Sequence, residues 1–290
     1  GDVYKRQSLR AAPRFYSSVG ERSVHTGKVA GSIPARTTTT RSYAAGLVVF
    51  VVRHVGTTWT QSSWPQLAHV PSGVMDDTAL IDSLLGPDSE GIRLIAVSTL
   101  HGSATIDGTS DPMGNDADAK LFAALREWAD VAVVGSGTVK AEGYEASTST
   151  RLAVFSHSLN FEGFEEFIAG SPIILTPEDR ADSEKAHALA TAGAEIVSTG
   201  TGTVTEAIEA LRARGATRIS CEGGPSVYSA FIEAGLVDKL YLTMDPHLSP
   251  SVEKPVVDGS TTSPAFRLEL ENVTPVDSTV FLRYRRISTP

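Results

Sequence analysis

From residue 92 onward, short β-branched runs alternate with segments of helical period, and this alternation constrains the fold more than any other feature. The runs fall at residues 92–98, 131–135, 152–156, 173–176, 195–198 and 218–222. Near-continuous apolar strands separated by helices imply a mainly parallel sheet with both faces covered. In the first helical segment Leu121, Phe122, Leu125 and Trp128 recur at helical spacing, and Asn115 is placed to cap its start. Residues 200–214 and 226–235 also read as helices, the second closing at Gly235. The ending differs. Residues 239–244, 266–270 and 280–286 follow one another without helices between them, which predicts antiparallel strands finishing the sheet. The expected fold is α/β, a single domain with a mainly parallel central sheet flanked by helices and an antiparallel C-terminal finish.

The chain has 290 residues and a formal net charge of −9. That charge argues against a nucleic-acid partner, since a phosphate backbone requires a basic footprint. Charge is unevenly spread. Residues 1–74 carry nine Lys/Arg against two acids, Asp2 and Glu21, leaving 16 basic and 32 acidic residues beyond them. This first segment, with the low-complexity run Thr37-Thr38-Thr39-Thr40, shows no sustained period. Three readings compete for it: an Arg- and Ser-rich transit peptide, a disordered tail, or sequence foreign to the protein. The third is favoured. Residues 2–7 resemble translated adapter sequence, and residues 20–34 resemble a transfer-RNA gene read as protein. The domain is therefore expected to span residues 75–290, starting at Met75. Cys221 is the only cysteine, so no internal disulfide or cysteine-based zinc site is expected, and a reducing cytoplasm is the natural compartment. No apolar run approaches the roughly 18 residues that span a bilayer.

In an open α/β sheet ligands bind beyond the carboxyl ends of the strands. Two glycine-rich strand ends stand there, Gly135-Ser136-Gly137-Thr138 and Glu222-Gly223-Gly224-Pro225-Ser226. Such glycines let backbone amides approach an anion, and a helix N-terminus adds positive potential; they also simply make tight turns. The first loop lacks the third glycine of a dinucleotide fingerprint, and no acid stands about 20 residues on at a strand end, so a standard Rossmann site is not expected. Glu222 is placed either to accept hydrogen bonds from a ligand or to serve as a charge at a helix N-terminus. His-x-Glu and Pro-Cys-x-x-Cys, the signature of a zinc deaminase, do not occur, nor does a Gly-x-Ser-x-Gly elbow or a Gly-x-x-x-x-Gly-Lys-Ser/Thr loop. No metal site is expected. Cys221 reads as a small core residue.

The ordered set of motifs has a family likeness. Ala96-Val97-Ser98-Thr99-Leu100-His101-Gly102, Leu125-Arg126, Ala129-Asp130, Val134-Gly135-Ser136-Gly137-Thr138-Val139-Lys140-Ala141-Glu142, Glu222-Gly223-Gly224-Pro225, Gly235-Leu236-Val237-Asp238 and Phe281-Leu282-Arg283-Tyr284 together resemble the riboflavin-biosynthesis pyrimidine reductases. The likeness covers about residues 92–287. It implies a dihydrofolate-reductase-like fold, a homodimer and an NADPH-dependent reduction of the ribosyl group of 5-amino-6-(5-phosphoribosylamino)uracil to ribityl. By position it implies that Gly135, Ser136, Gly137 and Thr138 cradle NADPH and that Gly223, Gly224, Pro225 and Ser226 meet its phosphates. Ser156 and Thr176 become cofactor neighbours or plain strand-terminal hydroxyls. Thr99, Gly102 and Glu222 fall to the phosphorylated pyrimidine substrate. The family's Ser-x-Asp-Gly is replaced here by Thr99-Leu100-His101-Gly102. His101 thus occupies a catalytic position with imidazole in place of carboxylate, and it could still donate a proton. Lys140 and Arg151 are candidates for the substrate phosphate or ordinary surface charges. Two other functions stay open: reduction of another heterocycle such as a dihydropterin, and non-catalytic NADP binding.

Overall fold

The computed structural model describes residues 76–146, 150–259 and 266–287. The expected extension over residues 1–74 lies outside the described residues.

Nine strands form one sheet in the order β5-β4-β3-β2-β6-β1-β7-β9-β8. The first six are β1 (Gly91–Thr99), β2 (Val131–Gly135), β3 (Arg151–Phe155), β4 (Ile173–Thr176), β5 (Glu195–Ser198) and β6 (Arg218–Cys221). Together with β7 (Lys239–Asp245) they pair in parallel. The last two, β8 (Leu268–Val276) and β9 (Thr279–Arg286), pair antiparallel, so the expected mixed α/β architecture is observed. The sequence-based bounds hold for β2, β4 and β5, while β6 stops one residue before Glu222. Helices α7 (Val204–Arg212) and α8 (Pro225–Glu233) cover one face, where Ile208, Leu211 and Phe231 pack on Ile92, Leu94 and Val133. On the other face α2 (Asp116–Trp128) lays Leu121, Leu125 and Trp128 against Ile95 and Tyr241. Each such fully buried side chain contributes about 1.5–3 kcal/mol. Asn115 does cap α2, its side chain accepting from the amides of Ala117 and Asp118 at 3.1 Å.

Three departures from the sequence reading have local causes. The helix expected from residue 200 starts at Val204, because Gly200 and Gly202 take positive φ and Thr203 with Glu206 forms a capping box. Strand β8 runs on to Val276 through Pro275, where the reading stopped at 270. It is the edge strand, the place where a missing N–H is tolerated. A helix the reading missed, α1 (Asp77–Leu85), precedes the sheet; Asp76 caps it and Arg283 holds its last carbonyls, donating to Ser83 at 2.8 Å and Leu84 at 2.7 Å.

Arg93 enters β1 fully buried, with its guanidinium 3.8 Å from the Trp128 ring centroid and Nη2 donating to the Pro87 carbonyl. Its Nε and Nη1 find no partner among the described residues. Burial pulls its pKa below the usual guanidinium value. A buried charge that is poorly paired is weak support for stability. Arg93→Met is therefore expected to leave unfolding free energy within about 1 kcal/mol of wild type or raise it. Urea denaturation checks this, and a loss beyond about 2 kcal/mol would show that the ring contact outweighs the desolvation.

Candidate active site

The sheet order brings the carboxyl ends of β2, β6 and β1 side by side, and β6 sits between two strands that come earlier in the chain. Both glycine-rich segments leave the sheet here. The first is itself a helical turn: α3 (Ser136–Ala141) begins directly after Gly135, where the sequence suggested only a loop. The second leads through Gly223 and Gly224 into α8, with Pro225 in the first helical turn, where its fixed φ suits the helix.

The two segments lie against each other. The Gly135 amide donates to the Gly223 carbonyl at 2.7 Å. A Cβ on Gly224 would stand 2.6 Å from Thr138 Oγ1, and one on Gly223, at φ +83°, would stand 2.5 Å from Tyr228 Cζ. These glycines are required by the fold itself. Gly137 differs: it is exposed, and nothing lies within 4 Å of where a Cβ would be. The first turn of α8 carries no acidic residue, and its cap Gly224 supplies no side chain, so no side chain of the turn offsets the positive end of the helix dipole.

Beside these turns lies a cavity of about 520 Å³. Of the residues singled out from sequence, Thr138, Glu222, Gly224 and Pro225 line it. Glu222 is nearly fully enclosed, and both its oxygens are engaged. Arg126 donates through Nε and Nη2, each at 2.7 Å, and the Tyr144 hydroxyl donates to Oε2 at 3.0 Å. The Arg126 guanidinium also lies 4.5 Å from the Phe122 ring and 5.1 Å from that of Tyr144. Burial works against the Arg126 charge, yet the bidentate link and the charge of Glu222 hold its pKa above the ordinary value. Burial first, then the Glu222 charge, drives the Tyr144 phenol well above its usual range. Sequence reasoning placed Arg126 in a motif without a role and missed Tyr144.

The other candidates are distributed around this centre. His101 lies between two loops at the end of β1: its Nδ1 accepts from the Ser249 amide at 3.1 Å, and Nε2 is 3.5 Å from Thr99 Oγ1. Thr99 is buried and exchanges hydrogen bonds with Ser103, and Gly102 makes the turn at φ +90°. Ser156 is buried after β3 and accepts from the Leu159 amide, while Thr176 ends β4 with Oγ1 unpartnered among the described residues. Ser136 opens α3, and Ser226 follows Pro225 in the first turn of α8. Lys140 is exposed on α3. Arg151 starts β3 at the amino end of the sheet, where it pairs with Glu195 at 2.6 Å, away from the cavity. Lys254, which sequence reasoning did not single out, is on the cavity lining. Cys221 is fully buried, and burial pushes its thiol up to about 12, in keeping with an inert core residue.

Two carboxyl groups meet near Gly114. Asp118, in the first turn of α2, lines the cavity, and its Oδ1 accepts from the Thr243 hydroxyl at 2.5 Å. Asp245, at the end of β7, accepts from the Gly114 amide at 2.9 Å, from the His247 amide at 3.0 Å and from His247 Nδ1. Burial raises the Asp118 pKa; the Thr243 hydrogen bond partly opposes this, and the Asp245 charge adds to it. Burial also opposes ionisation of Asp245, but the bonds from His247 and Gly114 prevail and lower its pKa.

A family model, the RibD C-terminal domain, matches residues 93–282. The chain belongs to this family, the reductase family of riboflavin biosynthesis. Among solved structures it is similar to a pyrimidine reductase-like protein from Corynebacterium diphtheriae, at 32% identity over 70% of this chain and 94% of that one, with a TM-score of 0.63. It shares the fold of the Thermotoga maritima diaminohydroxyphosphoribosylaminopyrimidine deaminase/5-amino-6-(5-phosphoribosylamino)uracil reductase, at 18% identity and a TM-score of 0.55. That match covers 68% of this chain and 57% of the other, so the chain spans little more than half of the two-activity protein. It also shares the fold of the Saccharomyces cerevisiae riboflavin biosynthesis reductase Rib7, at 17% identity over 70% and 92% of the two chains, with a TM-score of 0.51. No curated protein sequence matches. Among the described residues no helix is long and apolar enough to cross a membrane, and no cluster of His, Cys, Asp or Glu has the form of a metal site.

Proposed function

We propose that this member of the family is an NADPH-dependent reductase that converts the ribosyl group of 5-amino-6-(5-phosphoribosylamino)uracil to ribityl, acting as a cytoplasmic homodimer. The observation that carries the reading is the junction of the two glycine turns beside the cavity at the carboxyl ends of β2 and β6. A dinucleotide fits the residues present. Gly137 leaves an open face on α3, and α8 offers an uncapped helix start with no acidic side chain in its first turn. Gly135, Ser136, Gly137 and Thr138 would hold one part of it, and Gly223, Gly224, Pro225 and Ser226 its phosphates. Ser156, just after β3, and Thr176, at the end of β4, would stand near it.

When bound, the nicotinamide supplies the reducing electron pair; the protein supplies orientation and a site screened from water. Glu222 and Tyr144 stand on the cavity wall with Arg126 held behind them by Glu222, and the two lining groups would face the pyrimidine. Lys254 is the lining cation suited to the substrate phosphate. Thr99, His101 and Gly102 shape the loop above β1, with His101 joining it to the segment after β7.

The full-length protein is expected to oxidise NADPH when 5-amino-6-(5-phosphoribosylamino)uracil is added, followed by loss of nicotinamide absorbance. NADPH binding without turnover of that substrate sinks the pathway assignment. A dihydropterin offered in parallel separates the two substrate classes.

A further inference from the structure

We propose that Asp118, on the cavity lining, is the proton donor of this site: its Oδ2, beside Gly114, delivers the proton that completes the reduction. The inference rests on the reductase reading and departs from it in one respect. The sequence offered His101 as proton donor, but its Nδ1 accepts from the Ser249 amide, its Nε2 lies 3.5 Å from Thr99 Oγ1, and it is not on the cavity lining.

The Thr243 hydroxyl donates to Oδ1, which makes that oxygen the carbonyl-like acceptor of the carboxyl group. No described residue donates to Oδ2, which lies beside the Gly114 α-carbon, where a Cβ would be 2.7 Å away. Glu222 has two oxygens bound by Arg126 and Tyr144, and Glu142 has two held by Ser110, whose amide and hydroxyl donate at 3.0–3.2 Å. Asp111, the fourth carboxyl on the lining, is exposed, so Asp118 is the partly buried lining carboxyl with an oxygen left over.

Its neighbour Asp245 keeps its charge, because Gly114 and His247 bond to it. Two carboxyls whose surroundings push them apart mark an acid and its ionised companion. Half-buried and beside the Asp245 carboxylate, Asp118 is the member of the pair whose pKa is raised, and the proton is assigned to it. The first-turn position on α2 favours the anion, but Asn115 already occupies the amides of Ala117 and Asp118.

The step balances as follows. The electrophilic carbon of a C=O or C=N group receives two electrons and a hydrogen from the bound cofactor, and the π bond breaks toward the heteroatom. That heteroatom takes the proton from Asp118 Oδ2, leaving a carboxylate that solvent reprotonates. Because the acid form is required, kcat falls as pH rises through the Asp118 pKa. The titratable groups facing Asp118 are Asp245 of β7, Tyr228 of α8, and Asp111, Glu142, Tyr144, Glu222 and Lys254 on the same lining.

The test has two independent readouts on the full-length protein. Infrared spectra of the protein without cofactor are expected to show a protonated-carboxyl C=O band at neutral pH that Asp118→Asn removes. In steady state, Asp118→Asn is expected to lose about a hundredfold in kcat and the alkaline limb of the pH profile, with NADPH affinity held within about twofold. Absence of the band in wild type, or an unchanged alkaline limb in the variant, overturns the assignment. If wild type turns over no phosphoribosyl pyrimidine, the reductase reading fails; the infrared band still decides whether Asp118 carries the proton.

Discussion

Glu222→Gln is expected to cost about 3 kcal/mol of folding stability, at the low end of the range for breaking a buried ion pair by removing one partner. The substitution keeps volume and shape. It strips the counter-charge from Arg126, whose side chain is 21% exposed beside a carboxylate that is 1% exposed. An uncompensated guanidinium in that setting loses two charge-assisted bonds, each stronger than a neutral one. Its contacts with the Phe122 and Tyr144 rings keep the cost from reaching the upper limit. The Tyr144 hydroxyl still finds an amide oxygen, so little is added there. Urea denaturation measures the loss. A double-mutant cycle with Arg126→Met then separates pair energy from packing, because removing both charges is expected to restore part of the stability. A cost below about 1 kcal/mol for the single variant, or no recovery in the double, would show that the pair is not the anchor of the wall. Binding gives a second check. Glu222 lines the cavity, so the pyrimidine is expected to lose more affinity than NADPH; equal losses would contradict its place on the substrate side.

What the sequence revealed follows from the range of the interactions involved. Strands β2, β4 and β5 were legible because each is a short β-branched run closed by turn residues, a purely local signal. The glycine turns were legible because close backbone approach and positive φ restrict residue choice locally. Helix α1 was readable from Asp76, the Leu80, Ile81 and Leu84 spacing and Gly86, but it stands apart from the alternating pattern that framed the reading. Strand β8 was cut short because Pro275 signals a break unless the strand is known to be an edge, and edge status is a property of the whole sheet. Thr138, Glu222, Gly224 and Pro225 on the cavity wall were legible, but the side-chain partnerships around them were not. Glu222 meets Arg126 across 96 residues and Tyr144 across 78, and Thr243 meets Asp118 across 125. In sequence Asp118 is one of several acids at a helix start. Only the fold brings it, half-buried, beside Asp245.

Gly137→Ala and Gly223→Ala are expected to part stability from cofactor binding in opposite ways. At Gly223 the backbone has φ +83°, and a methyl group would collide with the buried Tyr228 ring, whose hydroxyl bonds the Ile95 carbonyl. Strain at positive φ and displacement of that ring together are expected to cost about 3 kcal/mol or more. NADPH binding then fails with the loop, as a consequence of misfolding. Gly137 has open space around the new methyl and sits inside α3, where alanine is the better helix former by about 0.5–1 kcal/mol. Thermal unfolding of Gly137→Ala is therefore expected at or above the wild-type temperature. If the reason for glycine is an approaching ligand, the same methyl obstructs it, and NADPH affinity is expected to fall at least tenfold, about 1.4 kcal/mol. A variant that gains stability while losing cofactor isolates a binding role that no packing argument supplies. Should Gly137→Ala bind NADPH as wild type does, the first glycine turn is only a turn, and the cofactor must be sought along the start of α8 alone.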